Sequence, residues 1–237
     1  MKKIKSIFRS EKQFRLFLIL LASTVFSVAL FGTRLMFVDF DFGKIQSIDD
    51  LIYYRGNQTY FFLNWNLFLA WVPYLLVLTL PFLYKKTKSK ILVVSILFLW
   101  LLFFPNAPYL LTDLLHLRKR SGVPLWFDMM LLLSFAWTGL ILGYLSLLEV
   151  QRFLLNFFSK KTVEKISFGA ILLCGFGIYL GRFQRWNSWD IVTQPVSLFS
   201  DILNLLAQPQ TLGLAMVISV FLFLGYLTLS TLAQKEY

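Results

Sequence analysis

Asp113 and the chain's only histidine, His116, stand three residues apart in "FPNAPYLLTDLLHL", Phe104 to Leu117. On a helix that spacing puts both side chains on one face. There a carboxylate can orient an imidazole to act as general base or nucleophile. Asp128 is a second carboxylate able to take the orienting role. Arg182 and Arg185, again three apart, open "RFQRWNSWD", and two guanidiniums would grip a phosphate or carboxylate through forked hydrogen bonds. Asn187 and Asp190 follow them, and Asn66, Asn106 and Tyr109 add polar groups from earlier in the chain. The expected division of labour is Asp113, His116 and Asp128 for catalysis. Arg182, Arg185, Asn106, Asn187, Asp190, Asn66 and Tyr109 would bind substrate. A hard divalent ion between the aspartates is a related version. With one His and one Cys, Cys174, a zinc site rich in those ligands is not expected. No metal ligands are therefore assigned and no cofactor is indicated; neither a Walker sequence nor a GxGxxG after a strand is present.

These residues have to be positioned inside a membrane. The 237 residues are 58% hydrophobic and 18% aromatic, with a mean hydropathy of +0.69, too apolar for a soluble domain. Six stretches, at about 14–36, 60–83, 91–111, 126–148, 166–183 and 212–232, are long enough to cross a hydrocarbon core at about 20 residues per helix. Within lipid the backbone must satisfy its own hydrogen bonds, so the expectation is an all-α membrane protein of one polytopic domain. The alternation of a membrane barrel is absent from the sequence. The apolar run from Phe14 is too long for a signal-peptide core and reads as an uncleaved first helix.

Charge orients the spans. With the N-terminus inside, fifteen of the 23 basic residues and all four Glu fall on the inner side. All eight Asp then fall outside, which favours both termini in the cytoplasm of a cell (inner) membrane. The basic inner face suits anionic lipids rather than nucleic acid, since no binding module accompanies it. On the outer side, Val38 to Thr59 is long enough for a small polar cap. "PVSLFSDILNLLAQP" places Val196, Phe199, Ile202, Leu203 and Leu206 on one face and Ser200, Asp201 and Asn204 on the other. That pattern predicts a short interfacial helix near 196–207. Trp65, Tyr109, Trp126, Trp186 and Trp189 map to the same boundary as an aromatic belt. Gly139/Gly143 and Gly177/Gly181 form GxxxG pairs that predict close packing of the fourth and fifth helices.

The third span is the irregular one. Ile91 to Phe104 gives only fourteen residues before Pro105 and Pro108 interrupt the ladder. Such a break is tolerated only where neighbours or an aqueous cavity satisfy the freed groups. Asn106 is expected to cap a second, short helix beginning at Ala107.

"FLNWNLFLAWVPY", "FPNAPYLLTDLLHL", "PLWFD" and "GIYLGRFQRWNSWD" also resemble, in order and spacing, the bacterial membrane-protein family catalogued as domain of unknown function 1361. The likeness covers roughly residues 15–230. Its signature positions match Asn66, Pro105, Asn106, Pro108, Tyr109, Asp113, His116, Asp128, Arg182, Arg185, Trp186, Asn187 and Asp190. It implies a multi-helix inner-membrane protein and no particular activity. The residues themselves point to an outward-facing pocket that binds or acts on a lipid-linked or envelope-linked anionic substrate. The alternatives are a transporter or proton-coupled permease, and a scaffold or partner subunit in which the same groups lock helices together. In this reading almost every ionisable residue hugs the outer surface, none lies near the midplane, and no repeat relates the two halves, which weighs against transport.

Overall fold

The computed structural model describes residues 8–38, 43, 59–120 and 122–234. Apart from Val38, Gly43 and Thr59, the expected cap between the first two spans lies outside them. The chain forms α1 (Glu11–Phe37), α2 (Phe62–Thr87), α3 (Lys90–Phe103), α4 (Asn106–Tyr109) and a 3-10 segment (Leu110–His116). It continues through α5 (Leu125–Leu154), α6 (Lys160–Tyr179), a π-turn (Leu180–Gln184), α7 (Asp190–Thr193), α8 (Pro195–Leu206) and α9 (Pro209–Gln234). Among the described residues six helical stretches are long and apolar enough to cross a membrane: α1, α2, α3 through the 3-10 segment, α5, α6 with its π-turn, and α9. The fold is all-α, with a bent third span and a short apolar helix near 196–207.

Three boundaries differ from the sequence expectation. The inner segment expected at about 149–165 is mostly helical and shrinks to Leu155–Ser159. Charged side chains do not stop a helix once they are paired: Arg152 Nη1 donates to Glu149 Oε1 at 2.5 Å, one turn away. Ser159 then caps α6 by accepting from the Thr162 N–H. At the other end, Asn106 is the first residue of α4 rather than its cap. The piece that follows winds as a tighter 3-10 helix.

The described helices sort into two compact units. One holds Met1–Val72 and Asn106–Leu142; the other holds Pro73–Pro105 and Gly143–Tyr237. The chain passes between them at Pro73, Pro105 and Gly143, residue types that weaken the helical ladder.

The first unit packs α1 against the early turns of α2 and α5. Phe31 meets Phe61 at 5.1 Å, and Phe37 meets Phe127 at 5.1 Å. Polar cross-links replace the hydrophobic drive that lipid removes: the Ser23 and Thr138 hydroxyls lie 2.6 Å apart, and the Trp71 indole donates to Thr24 at 3.0 Å. Gly139 lies against the broken third span, where a Cβ would strike the Ala107 carbonyl and Leu110. In the second unit Gly177 admits Pro105, and Gly175 admits Ala215 and Ser219 of α9. The glycines thus do serve close approach, but these three receive the third and sixth spans. Gln151 Nε2 donates to Ser167 and to Tyr226, each at 2.6 Å. Along α8, Val196 and Phe199 are 81% and 62% exposed, with Leu203 and Leu206 exposed beside them.

Candidate functional site

A proline-bracketed break brings the chain from α3 into α4 and the 3-10 segment. Residues i and i+3 eclipse in a 3-10 helix, so Asp113 and His116 share an edge more closely than an α-helix would allow. Asp113 is fully buried and accepts from Asn66 Nδ2 of α2 at 3.0 Å. The His116 ring is half-buried against Phe62, 5.0 Å between centroids. Its backbone carbonyl accepts the Tyr60 hydroxyl at 3.0 Å. Asn106 and Tyr109, both half-buried, precede them on α4.

Tyr60 joins this edge to a second, buried group. Arg34, near the end of α1, and Asp128, in the first turn of α5, are 0% and 1% exposed. Arg34 Nε donates to Asp128 Oδ1 at 2.7 Å and Nη2 to Oδ2 at 3.3 Å, so the carboxylate is clasped on both oxygens. The Arg34 guanidinium lies 4.2 Å from the Tyr60 ring centroid, and that of Arg120 lies 4.4 Å from the same centroid. Tyr60 has φ 50, an uncommon backbone state for a bulky residue. Burial raises its phenol above the ordinary value; Arg120 opposes this, Asp128 adds to it, and Arg34 and Arg118 oppose it. The hydroxyl is accordingly a proton donor at neutral pH.

Of the sequence-predicted residues, the first unit thus holds Asn66, Asn106, Tyr109, Asp113, His116 and Asp128. The second holds Arg182, Arg185, Asn187 and Asp190. There the π-turn that carries Arg182 ends at Arg185, which is exposed at φ 62. Asp190 is buried and spent locally: Oδ2 accepts from Asn187 N at 2.7 Å and Nδ2 at 3.2 Å, and Oδ1 accepts from Thr193 at 3.0 Å. The carboxylate reaches back three residues to close a turn, across which Asp190 N also donates to the Asn187 carbonyl at 3.0 Å. Trp186 donates to Asp201 of α8 at 3.0 Å, and Ser188 donates to the Leu102 carbonyl at 3.0 Å, close to the proline break. Asn187 and Asp190 therefore shape a turn.

Four residues of the Tyr60 cluster escape a reading by motif: Arg34, Thr59, Tyr60 and Arg120. Arg34 left a signal, being the only charge between Leu16 and Val38. An ionisable residue in an apolar run needs a partner, and Asp128 supplies it. Among the described residues no three His, Cys, Asp or Glu side chains gather in one place.

A family model described as "Protein of unknown function (DUF1361)" matches residues 65–224. No curated protein and no solved structure matches the chain.

Proposed function

The chain belongs to the DUF1361 family, whose description assigns no activity, and we propose from its geometry a binding role for an anionic, membrane-linked substrate. The protein is a multi-pass component of the cell (inner) membrane with both termini in the cytoplasm. Its Tyr60 cluster faces outward. Orientation rests on the Lys and Arg excess in the segments that contain residues 85–90 and 152–165. One observation carries the function: the guanidiniums of Arg34 and Arg120 lie 4.2 and 4.4 Å from the Tyr60 ring centroid, and among the described residues the carboxylate that meets them is Asp128, clasped by Arg34. A buried-to-rim excess of positive charge draws anions and rejects cations.

Beside that surplus, Asp113 is fixed by Asn66 and lies one 3-10 turn from His116. His116 is the group that would move a proton on a bound substrate. Asp128 supports Arg34 rather than His116. In the second unit, Arg185 is available to a headgroup of its own.

The test is the lipid that copurifies. Full-length protein extracted in detergent should retain anionic lipid above its share in the membrane, and Arg120→Gln should lose that enrichment while still accumulating as folded protein. Absence of enrichment in the wild-type protein would remove the binding role. If Arg120→Gln and His116→Ala merely fail to accumulate, the cluster is an interhelical lock. Orientation is checked in a Cys174→Ser background: a thiol reagent outside the cell should reach Lys119→Cys, and labelling from the cytoplasm alone would reverse the topology.

A further inference from the structure

Nearly every buried donor in a folded protein has an acceptor, and within a membrane the need is greater. Among the described residues three buried side-chain polar atoms have none: Arg34 Nη1, Thr59 Oγ1 and Tyr144 OH. Two of the three belong to residues tied to Tyr60: Thr59 precedes it in the chain, and Arg34 lies over its ring. A buried group left unmatched costs more than a made hydrogen bond gains, and a charged one costs most. Arg34 cannot turn to another acceptor without releasing Asp128, because Nε and Nη2 are committed there. An oxygen-rich ligand is what these atoms lack.

We infer that Arg34 and Thr59 bind a phosphoryl oxyanion, with Arg120 supplying a second guanidinium from the rim. This rests on the anion-binding role proposed above and names its chemistry. The donors come from three separate segments: residue 34 in α1, residue 59 before α2, and residue 120 before α5. A tetrahedral phosphate presents oxygens in several directions and can accept from all three. A planar carboxylate offers two oxygens in one plane. Charge points the same way. Two guanidiniums lie within 4.4 Å of one ring centroid, and among the described residues the carboxylate beside them, Asp128, is already clasped by Arg34. A phosphate monoester carries about −1.5 to −2 at neutral pH, against −1 for a carboxylate. The phosphoryl group is that of a lipid headgroup or of free phosphate, and both would meet the same donors.

The experiment is thermal unfolding of the full-length protein in dodecyl maltoside, which contains no phosphate, at constant ionic strength. Inorganic phosphate, dihexanoyl phosphatidic acid and acetate are titrated in turn. A ligand that binds only the folded state raises the midpoint with its concentration. Saturable stabilisation by phosphatidic acid alone assigns a lipid headgroup; stabilisation by both phosphates assigns the free anion as sufficient. Acetate should do neither. Thr59→Val separates binding from folding, since it removes an unmatched hydroxyl. It should leave the ligand-free protein at least as stable and weaken phosphate binding by roughly tenfold. Arg120→Gln should weaken it similarly. Stabilisation by acetate equal to that by phosphate would overturn the phosphoryl assignment and keep the anion site. No saturable effect of any of the three would overturn both. Undiminished binding in Thr59→Val would remove Thr59 from the site.

Discussion

Asp128 and Asp190 are both buried carboxylates in the first turn of a helix, 1% and 6% exposed. Their partners differ in kind. Asp190 is satisfied within three residues on either side, by Asn187 and Thr193. Asp128 is satisfied by Arg34, 94 residues earlier, and the match exists only when α1 and α5 are packed. The local network closes with its acceptor oxygens occupied. The long-range one leaves Arg34 Nη1 without a partner. Polarity at a helix end therefore says little by itself. What separates a cap from a ligand site is whether donors remain after the protein's own acceptors are used.

The contrast breaks most visibly at Arg34. Removing one member of a buried pair strands the other charge and costs about 3–5 kcal/mol, so Arg34→Ala should unfold on extraction or accumulate poorly. The paired replacement Arg34→Met with Asp128→Leu should recover most of the thermal stability, because no charge is left buried, and should bind no anion. If Arg34→Ala melts like the wild type, the pair is neither buried nor a lock. Next in size is Gly139→Val. Its Cβ would meet the Ala107 carbonyl and Leu110, and a backbone carbonyl yields less readily than a side chain. A loss of about 1–3 kcal/mol is expected from such overpacking, read as a lower midpoint. Gly177→Ala, which meets only Pro105 ring carbons, should lose less.

The two regions were unequally legible in the sequence. Spans declare themselves by apolar length, and the proline break by residue type. Charge runs mislead about where helices end, because pairs such as Glu149–Arg152 keep the inner turns helical. The tighter winding at Leu110–His116 has no residue signature, so only the structure brings Asp113 and His116 into eclipse. Asp190 and its neighbours could be found because their partners are sequence neighbours; what misled was their residue type, which suits a binding site as well as a cap. The Arg34–Asp128 pair is the reverse case. A lone Arg in an apolar run was visible, but its partner depends on which helices pack, and spacing along one chain does not encode that directly.

A smaller effect belongs to Asp190. Asp190→Ala removes the acceptor for the Asn187 N–H and the Thr193 hydroxyl, and loss of such local hydrogen bonds costs about 1 kcal/mol. The melting midpoint should fall slightly, with anion binding at the Tyr60 cluster unchanged. A loss as large as that of Arg34→Ala would erase the distinction between local and long-range networks.

An effect no larger at neutral pH, and the sharpest probe of the cluster's electrostatics, is that of Tyr60. Burial raises its folded-state pKa from the ordinary 10.0, outweighing the opposing guanidiniums. Below about pH 10 the phenol is neutral in the folded and unfolded chain alike, so its contribution to stability is fully present there. Above that, the unfolded chain ionises first, and the contribution is lost as pH rises through the raised folded value. Tyr60→Phe removes the hydrogen bond to the His116 carbonyl and should cost about 1 kcal/mol between pH 6 and 9. That deficit should shrink as pH climbs past 10, because the wild type alone has a phenol to ionise. If the deficit grows instead, ionised Tyr60 is being stabilised in the fold. The positive charge of Arg34, Arg118 and Arg120 would then outweigh burial, and the cluster would hold anions more strongly than its neutral phenol implies.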